Sequence, residues 1–447
     1  MRCFVGIDLG STTTKAVVLD EEGAVLGRGI TNSRSDYDVA CAVAQREALD
    51  DARLTLARRA LPTLGRGAPD EGLAPAAQEA LLRRLERRFR LAQHLVQLDL
   101  LGAEVEAELP AVERLFPGAR LGPAVAQLLD GLRAEAPAQF LDGELPRTFF
   151  RDLAASQWAR GAQAAAVPGE RPYEALLGAF DKAILKVEGR LFDLGLAAVV
   201  GQAVGDLVEA GEIPGGRAGH VERALAGAVA VPLEVAASVG TGYGRARLPF
   251  PKERIRSEIL CHGLGAHIMF PRTATVLDIG GQDTKAIQVD PAGIVTGFQM
   301  NDRCAAGCGR YLGYIADEMN LGVHELGPLA LSARKQVRIS STCTVFAGAE
   351  LRERLALGQR REDILAGLHR AIILRAMSLL ARSGGVKAEL TFTGGVANNP
   401  AAVAALRQLV REGYGEMPMN ISPDSIYTGA LGGAHFARRD VLAGAAA

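Results

Sequence analysis

The sequence has few cysteines, no excess of charge of either sign and no long apolar run. Six cysteines in 447 residues do not suggest a disulfide framework, so clustered cysteines are better interpreted as metal ligands or reactive thiols. The 50 basic and 51 acidic side chains balance, so nothing points to a nucleic acid or another polyanion as a partner. The first residues show no apolar segment followed by a cleavage site, and no apolar run approaches the roughly 20 residues of a membrane span. We therefore expect a cytoplasmic protein that binds neither nucleic acid nor a membrane.

The pattern of residue types divides the chain into strand-rich and helix-rich regions. The length of the chain suits about two or three domains of roughly 150 residues each. Residues 3–30 hold short β-branched runs broken at Gly10, which predicts antiparallel strands. Residues 41–195 are rich in Ala, Leu, Arg, Glu and Gln, and leucines such as Leu81 and Leu85 recur there at helical spacing. We interpret this segment as a helical insertion, a solvated amphipathic bundle with only a docking role.

One sequence pattern occurs twice, as VGIDLGSTTTKAVVLD at 5–20 and as VLDIGGQDTKAIQVD at 276–290. In each copy an apolar strand ends near an aspartate, Asp8 or Asp278, and a turn rich in glycine and hydroxyl or amide residues follows. Such a turn can direct backbone N–H and hydroxyl donors at phosphate oxygens. The paired copies predict a phosphate clamp built from two related halves.

The residues of this clamp have predicted roles. Mg²⁺ prefers oxygen ligands and keeps several waters, so one aspartate from each copy would hold the metal and orient an attacking water. Asp278 is the candidate for orienting the water and also a candidate Mg²⁺ ligand, and Asp8 and Asp283 are the other candidates for the metal. Lys15 and Thr12 would neutralise phosphate charge. The candidate phosphate-binding residues are Gly10, Ser11, Thr12, Thr13, Lys15, Gly280, Gly281, Gln282 and Asp283, of which Asp283 is also a candidate near the metal.

A third segment fits the same clamp. LTFTGGVANNPAAVAAL at 390–406 predicts a short strand, a turn at Gly394-Gly395 and a helix that begins near Asn399-Pro400. The small turn would let an adenine ring and its ribose lie against the backbone. We therefore take Gly394, Gly395 and Asn398 as candidate adenosine-binding residues.

The three segments resemble the nucleotide motifs of the superfamily that contains acetate kinase, sugar kinases, Hsp70 and actin. The resemblance implies an α/β fold with two ribonuclease-H-like lobes that close on Mg-ATP, and a large helical insertion in the first lobe. The absence of a Walker sequence agrees with a nucleotide held between lobes. The expected domains are the first lobe at 1–40 with its continuation at 196–270, the insertion at 41–195, the second lobe at 271–424 and a C-terminal helix at 425–447 that returns to the first lobe.

Three cysteines precede predicted helices in the second lobe. Cys304 and Cys308 lie in NDRCAAGCGRYLGYIADEMN, and Cys343 lies in SSTCTVFAGAEL. A helix N-terminus favours a thiolate and an anionic cluster. A [4Fe–4S] cluster takes four thiolates, so the simplest arrangement is a cluster shared between two subunits, with Cys304 and Cys343 as the ligands from this chain.

A narrower resemblance includes these cysteines. GIDLGSTTTKAV, GTGYGR, SEILCHGLGA, DIGGQDTKAI, NDRCAAGCGR, SSTCTVFAGAE and TGGVANNP are similar to motifs of the activating ATPases of 2-hydroxyacyl-CoA dehydratases and the ATPase subunits of benzoyl-CoA reductase. The resemblance implies that ATP hydrolysis drives an electron from a subunit-bridging [4Fe–4S] cluster to a partner that reduces a thioester. The long insertion is similar to that of the larger ATPase subunit of benzoyl-CoA reductase, which is our main interpretation. Its partners would be a shorter homologous ATPase subunit, the ring-reducing subunits and a ferredoxin-like electron donor.

Three other functions remain open on the sequence. The chain could be a homodimeric activator of a 2-hydroxyacyl-CoA dehydratase, distinguished by whether it dimerises with itself. It could be a small-molecule kinase, which would need a phosphoryl acceptor site and no iron. It could also be a non-catalytic interaction protein similar to Hsp70 or actin, for which the cysteines would have no purpose.

The remaining cysteines have less specific interpretations. Cys308 could be a spare thiol, a buried small hydrophobe, which we favour, or an alternative ligand. If Cys304, Cys308, Cys343 and Cys261 were all ligands, a zinc site within one chain would be possible. We interpret Cys261 and His262 as packed residues, and Cys3 and Cys41 as structural.

Overall fold

The computed structural model describes residues 1–33, 36–63, 73–146, 148–168, 170–188, 190–242, 244–245, 248–301, 309–335, 337–339 and 344–445. Internal contacts divide the chain into two compact units. The first unit, here called the helical unit, comprises Arg46–Leu233 together with Met1, and the second unit, the nucleotide unit, comprises Arg2–Gln45 and Glu234–Ala447.

Helices form the whole of the helical unit apart from its connections. In order they are α1 Tyr37–Ala60, which begins in the nucleotide unit, α2 Pro75–Leu115, α3 Gly122–Pro137, α4 Phe150–Ala165, α5 Tyr173–Glu188, α6 Val200–Glu209 and α7 Ala218–Val229. The leucines of α2 that suggested a helix are buried. They pack against apolar residues of α6 and α7, such as Val204 and Leu225. The helical unit therefore continues to Leu233, whereas we expected the insertion to end at 195, because apolar spacing does not reveal which body a helix packs against.

The nucleotide unit contains two sheets with related topology. The first sheet consists of β1 Arg2–Leu9, β2 Thr13–Leu19, β3 Val25–Asn32 and β4 Glu234–Thr241 in the order β3-β2-β1-β4. Strands β1 to β3 are antiparallel, as the sequence predicted, and β4 is parallel to β1. All residues of β1 after Arg2 are buried, in keeping with a central strand covered on both faces.

The second sheet repeats this arrangement. Its strands are β5 Thr275–Ile279, β6 Thr284–Val289, β7 Val295–Asn301, β8 Leu390–Thr393 and β9 Met419–Asn420, in the order β7-β6-β5-β8-β9. Again the first three strands are antiparallel, and the fourth runs parallel to the first. In both sheets the connection from the third strand to the fourth carries helices: α1 to α7 in the first sheet and four helices in the second.

The nucleotide unit has seven helices that begin after β4, within the described residues. They are α8 Glu258–Met269, α9 Gly309–Met319, α10 Val323–Leu331, α11 Thr344–Ala356, α12 Arg361–Ser383, α13 Pro400–Tyr414 and α14 Thr428–Ala445. The C-terminal helix α14 packs on the first sheet, where a Cβ on Gly6 would overlap the carbonyl oxygen of Ala430. It also crosses α8 at close range, since a Cβ on Gly432 would overlap the carbonyl oxygen of Cys261.

Helix α12 is long and apolar enough to cross a membrane by length and composition alone. More than half of its most apolar window, 56%, is buried within the protein. Ile364, Leu368 and Ile372 belong to the core beside the second sheet. These contacts identify α12 as a core helix of the nucleotide unit.

Candidate functional site

The two copies of the repeated pattern are also repeats in three dimensions. Asp8 on β1 pairs in register with Lys15 on β2, and Asp278 on β5 pairs in register with Lys285 on β6. The Lys15 Nζ atom lies 4.0 Å from Asp8 Oδ2, and the Lys285 Nζ atom lies 3.2 Å from Asp278 Oδ2. Each sheet therefore presents one aspartate–lysine pair at the end of its central strand, where β1 and β5 lead into the predicted phosphate loops.

The two predicted phosphate loops lie against each other. A Cβ on Gly281 would lie 2.5 Å from Thr12 Oγ1 and 3.2 Å from Ser11 Oγ. A side chain at position 281 would therefore displace these hydroxyl groups or separate the loops. Within the first loop, a Cβ on Gly10 would lie 2.7 Å from the carbonyl oxygen of Thr13, so this turn also depends on glycine.

In each sheet, the strand that pairs in parallel with the central strand β1 or β5 ends in a threonine followed by a glycine. Thr241 on β4 is in register with Asp8, and Thr393 on β8 is in register with Asp278. Gly242 and Gly394 follow with positive φ angles of 101° and 85°, values that favour glycine. The GTGYGR segment at 240–245 is thus the structural counterpart of the predicted adenosine turn, which sequence analysis did not recognise.

The predicted adenosine segment has the expected local structure. Strand β8 leads through a short 3₁₀ turn, Gly395–Asn398, into α13, whose N-cap residue Asn399 accepts hydrogen bonds from the N–H groups of Ala401 and Ala402 at 3.0 and 3.1 Å. Gly395 and Asn398 are exposed. A Cβ on Gly395 would meet nothing within 4 Å, which leaves room for a planar ligand beside this turn.

Asp278 is fully engaged by its neighbours. Thr393 Oγ1 donates to Asp278 Oδ1 at 2.9 Å, Lys285 Nζ donates to Oδ2 at 3.2 Å, and His262 Nδ1 lies 3.4 Å from Oδ1. Burial alone would raise the pKa of Asp278, but the positive charges of His262 and Lys285, with the hydrogen bond from Thr393, hold it well below its usual value. These neighbours favour the charged form of Asp278, which makes it a poor proton acceptor.

Lys285 is the buried cation of the second copy. Its ammonium group lies 2.6 Å from Asp283 Oδ1, 3.2 Å from Asp278 Oδ2 and 3.8 Å from Glu258 Oε2, and its side chain is only 3% exposed. Burial would lower the pKa of Lys285, but the three carboxylates raise it overall. The predicted roles of Asp278 and Asp283 must be considered together with this lysine, which sequence analysis did not select although it occurs in both copies of the pattern.

Asp8 is less constrained than Asp278. Its Oδ2 atom lies 4.0 Å from Lys15 Nζ and 3.9 Å from His262 Nε2, distances too long for hydrogen bonds. A Cβ on Gly429 of α14 would lie 2.9 Å from the same oxygen, so the carboxylate rests against a helix that has no side chain there. Among the described residues, Asp8 Oδ2 has no partner at hydrogen-bonding distance, so this oxygen suits a ligand such as Mg²⁺, which uses few carboxylates and several waters.

The SEILCHGLGA segment supplies the first turns of α8 to this site. Glu258 is buried, and burial raises its pKa despite the nearby Lys285. Cys261 is packed, as the sequence suggested, and burial raises the pKa of its thiol to about 12. His262 is also buried, but its ring lies between Asp8 and Asp278. Burial would lower the pKa of His262, and the charge of Asp278 raises it overall. Nothing in the sequence indicated this position, because the sequence does not reveal how α8 packs against β1 and β5.

Helix α9 is hydrogen-bonded directly to the second phosphate loop. The N–H group of Gly309 donates to the carbonyl oxygen of Gly280 at 2.8 Å, and that of Arg310 donates to Gly281 at 2.7 Å. The apolar residues that predicted this helix, Leu312, Ile315 and Met319, are buried. The loop and the helix are thus joined at the helix N-terminus.

The predicted cluster ligands Cys304 and Cys343, and also Cys308, lie outside the described residues. Helices α9 and α11 begin at Gly309 and Thr344, shortly after those cysteines. Helix α11 confirms the predicted helix, but its predicted apolar face is only partly buried, since Leu351 is 1% and Phe346 is 67% exposed. In the described part of the chain, no group of three or more His, Cys, Asp or Glu residues is arranged to hold a metal ion.

One protein-family model and several known proteins match this chain in sequence. The model of the BadF/BadG/BcrA/BcrD ATPase family matches residues 5–437. The chain is 42% identical over 231 residues to the (R)-2-hydroxyglutaryl-CoA dehydratase activating ATPase of Acidaminococcus fermentans, which covers 52% of this chain and 86% of that protein. It is 31% identical over 173 residues to one of the benzoyl-CoA reductase subunits of Thauera aromatica, which covers 39% of this chain and 61% of that protein.

A solved structure shares the fold. The crystal structure of component A of the A. fermentans (R)-2-hydroxyglutaryl-CoA dehydratase superposes with a TM-score of 0.52 at 22% sequence identity, covering 99% of this chain and all of that one, 100%. At this identity the likeness concerns the fold alone. It confirms the predicted mixed α/β fold.

Proposed function

Because the chain belongs to the BadF/BadG/BcrA/BcrD ATPase family, we propose that it is an activating ATPase that couples ATP hydrolysis to electron transfer into a 2-hydroxyacyl-CoA dehydratase. The dehydratase activating ATPase is 42% identical to this chain, and the benzoyl-CoA reductase subunit is 31% identical. This difference favours our alternative interpretation over the larger ATPase subunit of benzoyl-CoA reductase. The length of the insertion, on which the latter depended, is a weaker argument than identity in the shared part of the chain.

The observation that carries the proposal is the junction between the second phosphate loop and α9. The carbonyl groups of Gly280 and Gly281 accept hydrogen bonds from the first two residues of a helix that begins just after Cys304 and Cys308. A loop displaced by a phosphate group would move the start of this helix with it. The junction supports a direct mechanical path from nucleotide to cysteines.

The loops supply the nucleotide contacts in this proposal. Backbone N–H groups and hydroxyls of the first loop, from Gly10 to Thr13, together with Lys15, bind the phosphates. The second loop, from Gly280 to Asp283, contacts them from the other side, and Gly394, Gly395 and Asn398 hold the adenosine. Close contact between Gly281 and Thr12 supports placing one phosphate chain against both loops.

Asp8 fits Mg²⁺ better than Asp278 does. Within the described residues Asp8 Oδ2 has no partner closer than 3.9 Å, whereas both oxygens of Asp278 contact Lys285, Thr393 or His262. When bound, Mg²⁺ would neutralise phosphate charge. Asp8 would hold it, in part through water, and Asp278 would orient the attacking water as a fixed negative charge.

Cys304 and Cys343 are the proposed ligands of a [4Fe–4S] cluster, which would supply the low-potential electron. Two ligands per chain require a second set, and a second copy of this chain would provide it in a dehydratase activator. The starts of α9 and α11 close behind the two cysteines support this assignment, because helix N-termini stabilise anionic centres. A ferredoxin-like protein would be the donor, and we place the system in the cytoplasm.

Anaerobic purification followed by iron and acid-labile sulfide assays tests the proposal. We expect a brown dimer of about twice 47.0 kDa, loss of iron in Cys304→Ser with ATP hydrolysis retained, and no change in Cys41→Ala, whose thiol is buried elsewhere. An unchanged spectrum in Cys304→Ser would reject the cluster assignment. A colourless wild-type protein that phosphorylates a sugar or carboxylate would favour a kinase.

A further inference from the structure

His262 lies between the two aspartates of the repeated pattern. Its Nε2 atom is 3.9 Å from Asp8 Oδ2, and its Nδ1 atom is 3.4 Å from Asp278 Oδ1. The side chain is 9% exposed. One imidazole ring thus directs one nitrogen at the central strand of each sheet, which no other residue of the described site does.

The ring of His262 is less completely paired than that of another buried histidine, His369. The His262 Nδ1 atom makes no hydrogen bond of good geometry within the described residues. His369, a buried histidine of α12, is different: its Nδ1 atom lies 2.7 Å from the carbonyl oxygen of Leu365 and its Nε2 atom lies 3.0 Å from Asn399 Nδ2. Buried polar atoms are normally paired in this way. Unpaired ring nitrogens also occur in His94, His267 and His435, so the feature that singles out His262 is the position of its two nitrogens near Asp8 and Asp278.

A glycine on the neighbouring helix α14 allows the ring of His262 to approach the carboxylate of Asp8. A Cβ on Gly429 of α14 would lie 2.8 Å from His262 Nε2 and 2.9 Å from Asp8 Oδ2. Any larger residue would occupy the space between ring and carboxylate. The pair can approach only because this position has no side chain.

We propose that His262 is a positioning residue for ATP hydrolysis, and that it acts by holding the carboxylates of Asp8 and Asp278 through its two ring nitrogens. Catalytic hydrogen bonds are often longer before the reacting complex forms, so small shifts would convert both contacts into hydrogen bonds. Asp278 would then keep its orientation towards the attacking water, and Asp8 its orientation towards the phosphates. The proposal deepens the ATPase part of the proposed function and does not depend on which protein accepts the electron.

Two substitutions separate the contacts of the ring. In His262→Asn the side-chain amide reaches the position of Nδ1 and keeps the contact with Asp278, whereas in His262→Gln it reaches that of Nε2 and keeps the contact with Asp8. We expect each variant to lose about 10- to 100-fold in kcat for phosphate release, as loss of an orienting partner does at metal sites. KM for ATP and the Kd of a fluorescent ADP analogue should stay within about threefold, because the phosphate and adenosine contacts remain. His267→Asn and His267→Gln on the same helix are the matched controls and should match the wild type.

The outcomes of this experiment are distinct. Wild-type kcat in either His262 variant would overturn the proposal, because one contact would then be sufficient. Parallel loss of kcat and of ADP affinity would also overturn it, because His262 would then support binding and not the hydrolytic step. A wild-type protein that hydrolyses no ATP would overturn both this proposal and the proposed function, whereas normal hydrolysis with unaffected variants would remove only the role of His262.

A second variant leaves the histidine in place in case its replacement prevents folding. In Gly429→Ala the added methyl group would separate His262 from Asp8, so kcat should fall in the same range as for His262→Asn with the ADP Kd retained. Gly444→Ala on the same helix, where an added Cβ would meet nothing within 4 Å, should have no effect. Unchanged kcat in Gly429→Ala would contradict a role for the contact between His262 and Asp8.

Discussion

Lys15 and Lys285 occupy equivalent positions in the two copies of the pattern but have different surroundings. Lys285 is 3% exposed and contacts three carboxylates, whereas Lys15 is 15% exposed and lies 4.0 Å from one. An ammonium group buried among several carboxylates is held in place by them. An ammonium group with a single, more distant carboxylate can move towards a ligand. We therefore propose that Lys285 maintains the structure of the site, whereas Lys15 is available to bind phosphate.

Lys285→Met should be much more destabilising than Lys15→Met. Removal of the Lys285 charge leaves buried carboxylates uncompensated, at a cost of about 3–5 kcal/mol in the free energy of unfolding. The longer, more exposed contact of Lys15 contributes about 1 kcal/mol or less, and its loss should instead raise KM for ATP. Urea unfolding and ATPase kinetics on both variants check this, and equal losses of stability would contradict it.

Asp50 on α1 gives the helical unit a pH dependence. Burial raises its pKa to about 6 from the usual value of 3.8, with a further contribution from Glu47. Because the folded state binds the proton more tightly, stability falls as the pH rises from about 4 to 6 and stays lower above it. Asp50→Asn should therefore raise the stability of the protein at pH 7, by at most about 3 kcal/mol for two pKa units, less the lost contact with Arg53.

Thermal unfolding of this variant between pH 4 and pH 8 checks the sign of the effect. The advantage of Asp50→Asn should shrink as the pH falls towards 4. Asp193→Asn, at a fully exposed carboxylate, is the control and should show no such trend. A stabilisation that is the same at both ends of the range would contradict the role of Asp50 ionisation.

The strands and helices that are bounded by characteristic turn and capping residues were predictable from the sequence. Strand β8, its turn and α13 lie where Gly394-Gly395 and Asn399-Pro400 predicted them, because turn and capping chemistry act locally. The assignment of α6 and α7 was not predictable, since their packing against α2 depends on contacts distant in sequence. For the same reason the positions of Glu258 and His262 in the site could not be predicted. They depend on how α8 packs, which its local sequence does not indicate.

The contact between the two phosphate loops predicts the effect of a single methyl group. In Gly281→Ala the new Cβ would fall 2.5 Å from Thr12 Oγ1, so the hydroxyl group must rotate out of its position or the loops must separate. A displacement of about 1 Å at a reacting centre can cost about 100-fold in rate, and we expect a loss of about 10- to 100-fold in kcat/KM for ATP. Gly313→Ala on α9, where an added Cβ meets nothing within 4 Å, is the control. Steady-state phosphate release measures both, and wild-type kinetics in Gly281→Ala would show that the loops separate without consequence.

At the scale of the whole molecule, each unit has its own apolar core. In the helical unit Trp158, Phe180 and their neighbours form one cluster, and the leucines of α2 form another with α6 and α7. The core of the second sheet is a separate cluster. Two bodies with separate cores can unfold in separate transitions.

Differential scanning calorimetry with and without a non-hydrolysable ATP analogue tests this separation. We expect two transitions, of which only that of the nucleotide unit moves on binding. At about 100 times its Kd the analogue adds about 2.7 kcal/mol to the unit that binds it. A single transition that shifts as a whole would show that the units unfold together.

The connection between the third and fourth strands has a consequence for how such proteins diversify. In both halves this connection joins an edge strand to a strand on the far side of the central one, and it holds α1 to α7 in one half and α9 to α12 in the other. Register along β1 and β5 is fixed without it, so the closing segment is free to grow in length. The same pairing of strands therefore accommodates two connections of unequal length, of which the first includes a separate compact unit of helices.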